Sequence, residues 1–104
     1  MVIKMLTQKM ILKVLRKDLP HLRHRYNVRK IGLFGSYAKG LEHKKSDVDI
    51  FIEFQKPIGL DFMDLTEHIE EILGRKVDAI TPEGIKGIRV REVADSIKRG
   101  IIYV

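Results

Sequence analysis

No cysteine occurs in the 104 residues. That removes a disulfide scaffold, a thiolate nucleophile, an iron–sulfur cluster and any cysteine-ligated zinc, and it leaves metal binding to oxygen and histidine. Long apolar runs are missing too. The first fifteen residues carry a lysine every few positions, which fits neither a signal peptide nor a membrane span, so a cytoplasmic protein with no membrane partner is expected. There is no internal repeat or low-complexity tract, and the longest turn-rich stretch, 35–46, is too short for a linker. The expectation is one domain over 1–104, with 1–25 as a basic helical segment.

What is present is the composition of a folded globule, 44% hydrophobic and 33% charged. Area scaling has such a chain hiding roughly two-thirds of its unfolded surface. The net charge of +6 is unevenly placed. Residues 1–30 hold nine Lys and Arg against Asp18 alone, while the remainder holds eleven against thirteen acids. A basic N-terminal third attracts nucleic acid, nucleotide phosphates or an acidic partner, and is equally the composition of a solvated helix face. Charge alone does not choose among these.

Ile3, Leu6, Met10 and Val14, widened by Ile11, Leu15 and Leu19, recur at helical spacing and predict an amphipathic helix ending near Pro20. Val28 to Phe34, closed by Gly35, reads as a strand. Val48, Ile50, Ile52 and Phe54 alternate with Asp47, Asp49, Phe51 and Glu53, the period-two pattern of a second strand. Phe62, Leu65, Ile69 and Ile72 return to helical spacing in an acidic helix that Gly74 would cap. Lys76 to Ile80 predicts a third strand. Thr81-Pro82-Glu83 supplies an N-cap, a first-turn proline and a first-turn acid for a helix continuing through Val90, Val93, Ala94 and Ile97 to Gly100. Ile101 to Val104 closes as a short last strand. The fold class expected is α+β, two layers, with helices packed on a mixed sheet.

Chemistry concentrates on the second strand. Asp47 and Asp49 are two apart, so they share a face with Cα atoms about 6.5 Å apart, near enough to share a cation. Without one the pair is costly: two unit charges about 4 Å apart repel by roughly 4 kcal/mol at an effective dielectric of 20. An edge strand with its acids in water is the plainer reading, but Phe51 on the same face argues against uniform solvation. Upstream, Gly35-Ser36-Tyr37-Ala38 turns a strand into residues able to start a helix, a geometry that offers backbone N–H groups and a hydroxyl to a phosphate. Neither the P-loop nor the dinucleotide fingerprint spacing occurs. Asp78, between Val77 and Ala79, is a lone acid in the third strand. It reads either as a strand-end acid bonded to a loop or, on a strand beside Asp47 and Asp49, as the third carboxylate of a cluster suited to two Mg²⁺ ions.

Gly35-Ser36, ten intervening residues, Asp47-Val48-Asp49 and then the isolated strand acid Asp78 resemble the nucleotidyltransferase superfamily of DNA polymerase beta. More closely, Gly35 to Gly40, the Asp47 to Phe54 strand, Leu73-Gly74-Arg75 and Lys76-Val77-Asp78 look like the minimal nucleotidyltransferase family. The match runs from about Val28 to Gly100. The resemblance implies the palm fold of that superfamily, with Asp47 and Asp49 binding two Mg²⁺ ions that hold a nucleoside triphosphate, and Gly35 and Ser36 gripping its phosphates. It implies that Asp78 binds the metal beside the acceptor hydroxyl and helps remove its proton, with Lys39 approaching the phosphates. It also implies a partner, because minimal nucleotidyltransferases are typically paired with a HEPN-domain toxin and, acting as antitoxins, transfer AMP from ATP to a toxin tyrosine.

Two other classes of function stay open at this point. One is an antitoxin that neutralises by contact alone, and the other is nucleic-acid binding through the basic first thirty residues. His21 and His24 read as surface residues, and His43 and His68 as isolated. Tyr26, Tyr37 and Tyr103 are too scattered in sequence to indicate base stacking.

Overall fold

The structure is a computed structural model that describes residues 6–41 and 46–104. Ile3 and His43 lie outside the described residues, as do the first residues of the basic segment.

Helix α1 spans Gln8–Tyr26 and starts where the Thr7 hydroxyl accepts a hydrogen bond from the Met10 amide. It does not end near Pro20, as the sequence suggested, but runs through it to Asn27, whose left-handed backbone (φ 55°) caps the last turn. An internal proline costs about 3 kcal/mol in a lost hydrogen bond and a steric clash. Leu22 and Tyr26, both buried beyond the proline, offset that cost by packing against the sheet.

Strand β1 (Val28–Phe34) leads into the short helix α2 (Gly35–Lys39). Strand β2 (Val48–Phe54) is followed by α3 (Asp61–Leu73), which Gly74 ends in a left-handed cap (φ 68°). Strand β3 (Val77–Ile80) then gives way to α4 (Pro82–Lys86), capped by Thr81 as expected. The single helix predicted from Pro82 to Gly100 is in fact two. The Gly87 amide closes α4 on the Glu83 carbonyl, Val90 is extended, and α5 (Arg91–Arg99) starts afresh. Strand β4 is Ile102–Tyr103.

The sheet order is β3-β2-β1-β4, with β1 antiparallel to both β2 and β4, and β2 parallel to β3. A parallel neighbour requires a crossover, and α3 supplies it. This is the mixed sheet with helices packed on it that the alternation and helical spacing predicted. Alternation along the strands decides what each face holds. Val48, Ile50 and Ile52 of β2, with Ile31 and Leu33 of β1, join Ile11, Leu15 and Leu22 of α1 and Leu65, Ile69 and Leu73 of α3 in the main core. Phe51 points the other way, into a smaller cluster with Ile85 of α4 and Ala94 of α5. Asp49 shares that second face.

Two substitutions test this account of α1. Leu22→Ala should destabilise the fold by about 2–5 kcal/mol, and Pro20→Ala should stabilise it by up to about 3 kcal/mol, both read from denaturant unfolding.

Candidate active site

In the pairing of β2 with β3, Asp49 stands opposite Asp78 and Phe51 opposite Ile80. The period of two puts all four on the same face, so the two acids form one level of the sheet and the two apolar residues the next. Phe51 and Ile80 are covered by α4 and α5. The aspartate level lies beyond that cover. Asp47, exposed, sits immediately before β2, two residues from Asp49 and on the same side.

Across the other edge of β2, Asp49 pairs with Phe34, the last residue of β1. The chain then turns into α2 at Gly35, whose positive φ (74°) places its α-carbon against the Asp49 carboxylate. A Cβ there would lie 2.8 Å from Asp49 Cγ and overlap the carboxylate oxygen, so glycine is required for both its conformation and its size. The start of α2 carries no side-chain cap, since its N-cap residue is Phe34. The start of α2 at Gly35 therefore lies against Asp49.

Burial, and then the charges of Asp78 and Asp47, push the Asp49 carboxyl above its ordinary value of 3.8. Lys39 lies in the short helix that starts at Gly35. It ends α2 as an exposed residue. Asp78 and Asp47 thus both act electrostatically on Asp49, and Asp78 itself is exposed where Asp49 is half-buried.

Among the described residues no three Asp, Glu or His side chains stand close enough to form a complete metal cage. Mg²⁺ does not need one: it keeps several waters and is commonly held by one or two carboxylates together with substrate phosphates. A half-buried carboxylate repelled by two others, beside uncapped amides, is a donor set of that open kind. Asp49 and Asp78, opposite each other across β2 and β3, are two carboxylates that would suit such a cation beside an anionic ligand.

Sequence reasoning missed the side chains that hold this arrangement. The Arg75 guanidinium donates to the Ser46 carbonyl at 2.9 Å, fixing the chain just before Asp47. The Glu70 carboxylate accepts from the Val77 amide at 3.0 Å, just before Asp78. The Gln8 side-chain amide donates to the Ala38 carbonyl at 2.8 Å, tying the end of α2 to the start of α1. Each is a side chain bonded to a distant backbone group, for which sequence carries no periodic signal. His68 is likewise not isolated: its Nε2 lies 2.7 Å from Asp18 Oδ2, and its ring centroid 4.9 Å from that of His21. Packing of α3 on α1 creates this pair, fifty residues apart in the chain.

A family model described as the nucleotidyltransferase domain matches residues 11–103. The chain belongs to the nucleotidyltransferase-domain family. Among its relatives is the protein adenylyltransferase MntA of Thermococcus cleftensis, 38% identical over 96% of this chain and 98% of that one. A solved structure described provisionally as a minimal nucleotidyltransferase superposes with a TM-score of 0.72 at 26% identity, covering 93% of this chain and 95% of its own. A toxin–antitoxin crystal structure with AMP-PNP matches with a TM-score of 0.52 at 26% identity, over 80% of this chain and 60% of that one. The mixed sheet of this nucleotidyltransferase domain is thus the fold of solved minimal members.

The raised Asp49 carboxyl has a sign that can be tested. The folded chain holds this proton more readily than the unfolded chain, so its contribution to stability is full below the ordinary carboxylate value and is lost as pH rises through the raised one. In EDTA, Asp49→Asn should melt above the wild type at about pH 7, with the gap closing toward about pH 4. Gly35→Ala should lower stability by at least about 1–2 kcal/mol from the backbone alone, measured in the same buffers.

Proposed function

We propose that this chain is a Mg²⁺-dependent protein adenylyltransferase that moves AMP from ATP to a tyrosine hydroxyl of a HEPN-domain toxin, and that it acts as the antitoxin of that pair in the cytoplasm. The observation that carries the reading is the alignment of Asp49 with Asp78 across parallel strands, with Gly35 packed on Asp49. It is supported by the relative named protein adenylyltransferase and by the toxin–antitoxin structure with AMP-PNP, an ATP analogue. For the compartment, the support is that no helix among the described residues is long and apolar enough to cross a membrane.

In this reading the tyrosine oxygen bonds to the α-phosphorus of ATP, the bond to the β-phosphate oxygen breaks, and pyrophosphate leaves. The amides of Gly35 and Ser36, together with the Ser36 hydroxyl, hold the phosphates. Asp47 and Asp49 would bind the metal, with Asp78 as the third ligand. When bound, two Mg²⁺ ions supply electrostatic stabilisation to the attacking and leaving oxygens. The difference in exposure supports distinct roles for the two aligned acids. Asp49, against Gly35, faces the nucleotide, while Asp78, open to solvent, is reachable by a hydroxyl on another protein and accepts its proton. Lys39, at the end of α2, lies one helical turn from the phosphate-binding amides and adds positive charge on that side.

The test follows label from α-phosphate-labelled ATP in the presence of Mg²⁺ and the cognate HEPN protein. Label should pass to the partner with the wild type, and Asp47→Asn and Asp49→Asn should lose at least about a hundredfold in rate while keeping the fold. Toxin neutralisation by these folded variants at wild-type strength would instead make the chain a contact-only antitoxin.

A further inference from the structure

A second feature lies on the α1 and α3 side of the sheet, opposite the aspartates, and is independent of the adenylyltransferase reading. Both helices bury one side against the strands, through Ile11, Leu15 and Leu22 of α1 and Leu65, Ile69 and Leu73 of α3. On the side turned away from those residues, α1 carries Lys9, Lys13 and Lys17, and α3 carries Asp64, Glu67 and Glu71, all six exposed. A basic stripe and an acidic one therefore lie side by side on one outward surface. Asp18, the one acid of α1, turns off that surface to meet His68. The ion pairs among the described residues are Asp18–His68, Arg25–Asp61 and Arg29–Glu53, so the rest of the described chain pairs none of the six.

Two contacts fix how the stripes run. Asp18 meets His68 at 2.7 Å and Arg25 meets Asp61 at 3.8 Å, so the helices are antiparallel, with Lys17 level with Ile69 and Lys13 level with Leu73. A two-fold axis parallel to the helices, in the outer surface midway between them, sets α1 of a second copy over α3, and α3 of that copy over α1, at these same levels. Lys17 of each copy then falls between Glu67 and Glu71 of the other, and Lys13 beside Glu71. Pro20 and His24, both exposed, come level with the stretch of α3 that carries Leu60 and Met63, which are 88% and 66% exposed. A nucleic acid or an acidic peptide on the lysines would meet the carboxylates of α3 alongside them. The chain itself carries both stripes in the register that matches.

We infer that two copies of this chain associate as a two-fold dimer through the outward faces of α1 and α3, with Lys13 and Lys17 of each paired to Glu67 and Glu71 of the other. The shared face is about 20 Å along α3 and about 20 Å across the two helices, the low end of specific interfaces. Exposed ion pairs are individually weak and are screened by salt, so the dimer is reversible and salt-sensitive. Both aspartate levels lie on the other face of the sheet and stay open in the pair.

Sedimentation of the intact chain over a concentration series tests this. A dimer should form at about 20 mM salt, with a dissociation constant that rises at least about tenfold at about 500 mM. Lys13→Glu combined with Lys17→Glu should leave a monomer, and so should Glu67→Lys combined with Glu71→Lys. Mixed in equal amounts, the two variants should recover a dimer, because one of its two contacts then has both charges reversed and the other has both native. Circular dichroism of each variant reports the fold. The inference is overturned by a wild-type chain that stays monomeric at low salt up to about 1 mM. It is overturned equally by a dimer that neither reversal weakens, or by folded variants that remain monomers on mixing.

Discussion

Like-charge crowding around Asp49 is the constraint on which the rest of the site depends. A carboxylate partly removed from water, with two others on the same sheet face, is a local instability that the fold maintains. Such a group relaxes either by taking up a proton or by meeting a cation. Near neutral pH a cation is the effective relief for such a crowd of carboxylates. The glycine at the α2 start belongs to the same device, because its missing side chain is what lets the backbone amides and the carboxylate share one place.

Holding three acids together requires a scaffold that does not yield to their repulsion. The parallel pairing of β2 and β3 fixes Asp49 opposite Asp78, and that pairing sits on a core in which Val48, Ile50 and Ile52 are fully buried. Both strand starts are pinned from the end of α3 and the turn after it: Arg75 holds the backbone ahead of Asp47, and Glu70 holds the backbone ahead of Asp78. Gln8, at the start of α1, does the same for the end of α2. Apolar packing sets the position of the strands, and three polar side chains set the position of the loops.

Much of this was legible in the sequence because it follows from periodicity. Alternation in β2 assigned Asp49 and Phe51 to one face, Gly74 marked the end of α3, and Thr81-Pro82 marked the start of α4. Elements whose limits depend on tertiary packing were not legible. Pro20 is a helix terminator by local rule, and only the burial of Leu22 and Tyr26 carries α1 past it. The break between α4 and α5 depends on the turn at Gly87 and the extended Val90 rather than on any interruption of the apolar spacing. Lys39 entered as a phosphate ligand because it belongs to the Gly35–Gly40 segment, and in the structure it is an exposed residue at the end of α2. Tyr103, one of three scattered tyrosines in the sequence, acquires its neighbours Lys30 and Phe51 only through the β4–β1 pairing.

The central claim is that the aspartate level of the sheet is a cation site that works with a bound nucleotide. Paramagnetic broadening by substoichiometric Mn²⁺ in the presence of AMP-PNP, read from backbone amide signals, tests it most directly. Signals of Gly35, Ser36, Asp49 and Asp78 should broaden first, while those of the buried middle of α1, around Leu15, stay sharp. Broadening centred elsewhere, for instance around Asp18 and His68, or equal broadening throughout the chain, would contradict it.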